Sequence, residues 1–177
     1  MRSRIPEARD VVEIVALKGC SYSAMWGLSL DFVPTILNGK TWSWHRTTKS
    51  ARMDLAFDPF DYEVNATRWS VTRMEHAYDL PAAVCEWADL VVPEALEFFL
   101  PIHELGDVEK AFAQKEARKY VRFGPQNYKQ HYLAHAFVLA RLGRVAEASR
   151  ALGKSLERFP LDPEIEARVR DSILTAP

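Results

Sequence analysis

An α+β fold is expected from three features of the sequence. Apolar residues alternate with polar ones in steps of two through the first half. They recur in steps of three and four through the second. All 5 tryptophans fall between residues 26 and 87, where a sheet and a following helix would share a core. The expected architecture is an antiparallel β-meander of four to five strands within residues 10–72, packed on helices within 80–121. A helical hairpin and a C-terminal capping helix follow within 125–177. Gly124-Pro125 is the best internal boundary, dividing the chain into units 1–124 and 125–177, the second docked on the first.

The first strand spans residues 10–17, DVVEIVAL, rich in β-branched side chains. The second spans 26–32, where Trp26, Leu28, Leu30 and Phe32 share one face and Pro34 ends the ladder. Asn38-Gly39 is a hairpin turn, because both residues tolerate positive φ. The strand after it places Trp42 and Trp44 on one face, with Ser43 and His45 on the other. Residues 52–58 alternate again, Met53, Leu55 and Phe57 against Asp54, Ala56 and Asp58. Trp69-Ser70-Val71 is read as a last short strand.

Asp79 caps a helix carrying Pro81 in its first turn, and Pro93 is expected to break or kink it after Val92. A second segment runs to Ile102. Gly106 suits a helix end, and Asp107 caps the next helix, about residues 108–121. Beyond Gly124-Pro125, helices are expected over 128–142, ending at Gly143, and 145–159, ending at Pro160. A third begins at the Asp162-Pro163 cap and reaches about Leu174.

The chain has 177 residues with 23 basic and 24 acidic groups, and 48% of it is hydrophobic. That composition describes a compact globular chain and excludes a disordered tail, a fibrous repeat and a strongly basic nucleic-acid binder. The polar start MRSRIPEARD precedes no secretory apolar segment, and no apolar run approaches a membrane span. The expected location is therefore the cytoplasm, with Cys20 and Cys85 as free thiols, Cys85 lying in a helix core. Under that expectation the Asn65-Ala66-Thr67 sequon is chance. Residues 1–100 carry a formal charge of -4 and residues 101–177 one of +3, with +8 concentrated between Lys110 and Arg158. The favoured reading of the basic segment is a solvated helical surface facing the acidic half; weak nucleic-acid binding is the sharper alternative and is disfavoured.

Residues 129–162, KQHYLAHAFVLARLGRVAEASRALGKSLERFPLD, resemble a single tetratricopeptide repeat. Ala136 and Ala148 occupy the small positions where two helices cross, Gly143 the turn and Pro160 the terminal proline; Tyr132 stands where the family has Trp and Ser155 where it has its last small residue. The resemblance implies a groove using Gln130, Leu133, Phe137 and Arg141. Leu133 and Phe137 would mark an interface if exposed and plain core if buried. The stretches WGLSLDFVP and WHRTTKSARMDL are loosely similar to bacterial domains of unknown function, some of which are toxin-neutralising immunity proteins.

The densest polar stretch contains His45, Arg46, Lys49, Arg52 and Asp54. Its basic groups could cradle a phosphate or carboxylate with His45 as acid or base, or simply pair with Asp54, Asp58 and Asp61 in a loop; the second reading is favoured. Asp54 is expected to point outward. His131 and His135 stand i, i+4 on one helix face, a spacing that suits zinc. The Glu of H-E-x-x-H is Tyr132 here and no third ligand is near, so packed imidazoles are expected. Asp58, Asp61 and Glu63 do not fit a calcium loop. No G-x-S-x-G, Walker or dinucleotide glycine pattern occurs. No catalytic residue, metal or cofactor is assigned. The expected function is a non-catalytic interaction module of immunity-like type. Its partner is another protein, a homo-oligomer stays open, and neither membrane nor nucleic acid is expected. Candidate contacts are the 45–54 residues above with Gln130, Leu133, Phe137, Arg141 and Arg144. The competing reading is a small hydrolase or phosphate-ester-binding enzyme centred on the 45–61 loop.

Overall fold

The computed structural model describes residues 5–17, 21–44, 52–57, 72–73, 80–117 and 130–176. Within them run β1 (Ala8–Leu17), β2 (Ser21–Leu30), β3 (Thr35–Leu37), β4 (Thr41–Ser43), β5 (Leu55–Phe57) and β6 (Thr72–Arg73). The helices are α1 (Leu80–Phe99), α2 (Leu105–Ala117), α3 (His131–Arg141), α4 (Val145–Arg158) and α5 (Pro163–Leu174). The fold is α+β, and every strand pair is antiparallel. The strand expected at Trp69-Ser70-Val71, the Asp79 cap, the Gly124-Pro125 boundary and Cys20 lie outside the described residues.

The long β1–β2 hairpin pairs from Ala8 opposite Leu30 to Leu17 opposite Ser21. β2 is the central strand. On its other edge β5 sits opposite Trp26–Leu28 and β6 opposite Ser21 and Tyr22. Trp26, Leu28 and Leu30 are buried, but so are Gly27 and Ser29, so this stretch of β2 is covered on both faces rather than on the one face the alternation predicts. The strand stops at Leu30, and Phe32 packs from the turn beyond it.

The sheet is not a continuous meander. β3 and β4 form their own two-stranded hairpin between β2 and β5. Asn38 and Gly39 take φ 52° and 71°, the turn that the right-handed twist of a tight hairpin favours. This hairpin leans on the helical half. The Gly39 carbonyl accepts from the Asp162 N–H at 2.9 Å, and the Arg168 guanidinium lies 4.4 Å above the Trp42 ring. Trp42 thus packs on α5 and Trp44 is 39% exposed, against the expectation that both fill a sheet–helix core.

α1 runs unbroken through Pro93. Proline deletes one hydrogen bond, to the Asp89 carbonyl. Both residues face water, which can solvate that carbonyl, so the helix is not forced to end. Gly106 lies in the first turn of α2 rather than at a helix end. Asp107 caps from inside that turn, its carboxylate accepting from the His103 and Glu104 N–H groups at 3.1 and 3.3 Å.

The turn and cap signals at Gly143 and Asp162 are local and hold. Gly143 takes φ 73°, with its N–H on the Ala140 carbonyl and the Arg144 N–H on that of Leu139, the paired bonds that close a helix C-terminus. Asp162 caps α5 by accepting from the Glu164 N–H at 3.2 Å, with Pro163 in the first helical position. α3 and α4 cross where Ala136 and Ala148 are fully buried. One contiguous core runs from Leu28, Leu55 and Phe57 through Val91, Ala95 and Phe112 to Leu133, Val138, Leu152 and Val169.

Candidate functional site

His45, Arg46 and Lys49 lie outside the described residues, as do Asp58, Asp61 and Glu63. Arg52 is half-buried. Asp54, expected to point outward, is only 6% exposed. It precedes β5, where strict alternation does not yet apply. Its N–H donates to the Leu28 carbonyl at 2.8 Å and its carboxyl accepts from the Leu30 N–H at 2.7 Å, so it ties β5 to the end of β2. Burial pushes this carboxyl up to about 8; the Leu30 hydrogen bond and the Arg52 charge oppose the shift without cancelling it. Oδ1 is buried with no hydrogen-bond partner among the described residues. A protonated Asp54 satisfies this environment better than a carboxylate does.

The α3 face expected to line a peptide groove is covered by the protein's own chain. Leu133 and Phe137 are 4% and 5% exposed, so both are core. Gln130 is buried and its amide donates to the Pro34 carbonyl. Arg141 reaches Glu7 with both guanidinium nitrogens, at 2.6 and 3.4 Å, and lies 4.8 Å over the Phe32 ring. Arg144 bonds Glu147 at 2.6 Å and pairs with Glu109 at 3.1 Å. Lys154 pairs with Glu116 at 3.1 Å, and buried Lys115 donates to the Ala56 carbonyl beside the Phe57 ring. Much of the basic segment is therefore engaged by neighbouring carboxylates and by the sheet.

His131 and His135 converge on one carboxylate. Glu116 Oε1 is 2.6 Å from His135 Nδ1 and 3.4 Å from His131 Nε2, while Glu109 stands 3.9 Å from His135 Nε2. The Phe112 ring stacks on His135 with centroids 5.0 Å apart and planes 8° from parallel. Burial pushes the His131 imidazole down to about 4, against the pull of Glu116. Burial alone would raise the Glu116 carboxyl, but His131, His135 and Lys154 together hold it below the usual carboxylate range. Among the described residues no three such side chains are disposed to hold a metal ion. The cluster locks α2 to α3 and α4. Sequence reasoning found the histidines but not their partner, although Glu109 and Glu116 stand seven residues apart on α2, which returns both to one face.

Sequence reasoning also missed the outward face of α1. Val92, Leu96 and Leu100, at successive four-residue steps, are 45%, 41% and 54% exposed. Cys85, expected in the core, is exposed on the same arc. Asp89 sits inside this stripe and makes no ion pair among the described residues; Glu97 borders it. The available signal was the sequence of α1, apolar over more than one face, of which the core uses the side of Val91 and Ala95. No helix among the described residues is long and apolar enough to cross a membrane.

Two hollows flank the covered α3 face. One, of about 370 Å³, lies between the β3–β4 turn and the end of α4 and includes Gln130 and Leu133. The other, of about 530 Å³, lies between the end of β2, Trp44 and the last turns of α3 and α5, and includes Phe137 and Arg141. No family model, curated protein or solved structure matches this chain.

Proposed function

We propose that the protein is a non-catalytic module that binds another protein through the outward face of α1. The exposed stripe of Val92, Leu96 and Leu100 carries this reading. Apolar area on that scale gains about 25 cal/mol per Å² when covered. Asp89, one turn before Val92 on the same arc, needs a counter-charge once water is excluded. The fitting partner is thus an apolar ridge bearing a lysine or arginine. α1 contains Glu86, Asp89, Glu94 and Glu97 and no basic residue, so a two-fold contact of α1 with itself would bring like charges together. A different, more basic protein fits better, which suits the toxin-neutralising role implied by the resemblance of the first half and a cytoplasmic setting. The hydrolase reading needs His45, Arg46, Lys49 and Asp54 in one pocket. The inward turn of Asp54 toward Leu30 counts against it.

The test compares wild type with Leu96→Asp and Asp89→Lys as bait in extract of the source organism, with thermal melts confirming that each variant folds. A protein retained stoichiometrically by wild type and lost with both variants is the expected result. Retention by both folded variants, or no stoichiometric partner at all, would overturn the reading.

A further inference from the structure

The larger hollow has a chemistry of its own and shares no residue with the α1 face. Its walls are aromatic, from Phe32, Trp44 and Phe137. Its polar rim is rich in acceptors and poor in donors. Ser172 and Thr175 already donate their hydroxyl hydrogens to the Arg168 and Asp171 carbonyls, each at 2.8 Å, so only oxygen lone pairs remain to face outward. Glu7 and Asp31 add carboxylate oxygens. Among the described lining residues the one cationic group, Arg141, is held by Glu7, and Asp31 is paired with Arg9 at 2.5 Å. Among the described lining residues the donors are the Arg141 N–H groups not spent on Glu7 and the Trp44 indole, set against acceptor oxygens on Glu7, Asp31, Ser172 and Thr175. The C-terminal end of α5 also opens here, its last turn containing no basic residue to offset the negative end of the helix dipole.

An anion would meet the Glu7, Asp31, Ser172 and Thr175 oxygens and the negative end of α5, and an apolar ligand would leave those oxygens dry. We infer that the hollow binds an organic cation, an ammonium or guanidinium group whose donors reach the Glu7, Asp31, Ser172 and Thr175 oxygens and whose charge lies against the Trp44 and Phe137 rings. Cation–π attraction of this kind strengthens as water is excluded. The volume, about 530 Å³, accommodates a side-chain-sized ligand. A free amine and the lysine or arginine of a bound polypeptide share this chemistry.

Calorimetric titration of the whole protein tests the inference with agmatine as the free cation, the tripeptide acetyl-Gly-Arg-Gly-amide as the side-chain source, and its citrulline analogue as the neutral isostere. Millimolar or tighter binding of agmatine or of the arginine peptide is expected, with the citrulline peptide at least about tenfold weaker than its arginine counterpart. Trp44→Ala should weaken the bound probe by about tenfold, and Thr175→Val by a few-fold. Agmatine binding alone identifies a free amine, and peptide binding alone a polypeptide side chain; either supports the site. The inference is overturned if neither cation binds in the millimolar range, if citrulline binds as well as arginine, or if both variants, shown folded by their melts, bind unchanged.

Discussion

Asp54 and His131 are both buried, and folding shifts their proton affinities in opposite senses. Asp54 rises from 3.8 to about 8, so its contribution to stability is complete below pH 3.8 and is lost as pH climbs toward 8. His131 falls from 6.5 to about 4, so its contribution is complete above 6.5 and is lost as pH drops toward 4. Between pH 4 and 6.5 the two slopes cancel; above 6.5 Asp54 acts alone. Stability measured by urea unfolding should be flat from about pH 4.5 to 6.5, then decline toward pH 8 by as much as about 1.4 kcal/mol per unit. Glu116, held below its unfolded value, adds a loss as pH falls below 4.5. Asp54→Asn keeps an acceptor for the Leu30 N–H and removes the ionisation. It should abolish the decline above pH 6.5 and unmask a rise from 4 to 6.5. His131→Gln should do the converse, leaving a decline across the whole range from 4 to 8. A decline above pH 6.5 that persists in Asp54→Asn would mean another group carries it.

Turns and caps separate what the sequence determines locally from what distant partners decide. The Asn38-Gly39 turn, the Gly143 terminus and the Asp162 cap depend on residues within a few positions of one another, and all three were legible. The burial of Asp54, the unbroken course of α1 and the position of the β3–β4 hairpin were not. Asp54 is buried because Leu30, 24 residues away, supplies a hydrogen bond. α1 survives Pro93 because that side of the helix faces water. The hairpin leaves the sheet because Asp162 and Arg168, more than a hundred residues on, give it a seat. The candidate site was legible only as an inventory. Gln130, Leu133, Phe137 and Arg141 do share a face, but the segment that covers them comes from the first half. Two glycines with nearly equal φ make the distinction measurable. A Cβ on Gly143 meets nothing within 4 Å, so Gly143→Ala should cost only the left-handed conformation, about 1–2 kcal/mol. A Cβ on Gly39 would sit 2.9 Å from the Pro160 carbonyl oxygen, so Gly39→Ala should cost that amount and about 1–3 kcal/mol more for the displaced contact. Chemical denaturation of the two variants tests the order; equal losses would mean that the hairpin tip does not bear on the α4–α5 link.

Whether the helical half stands alone is decided by what covers α3. In a free repeat array, Leu133 and Phe137 would face solvent or a bound peptide. Here they join the core with Leu28, Leu30 and Val33 of the first half, while Gln130 is held by Pro34 and Arg141 by Glu7. Removing residues 1–129 would expose both large side chains and cut both polar ties together. It would also leave fewer than about fifty residues, a size at which a helical unit without disulfides or metal is marginal. The fragment 130–177 should therefore retain partial helicity but melt without a cooperative transition and bind a hydrophobic dye, whereas the whole chain should melt in one step. Restoring cover should restore cooperativity: adding residues 1–129 in trans should sharpen the melt of the fragment, and Phe137→Asp should prevent it. A sharp, dye-free transition in the isolated fragment would show that α3, α4 and α5 form a core of their own and that the sheet merely rests on it.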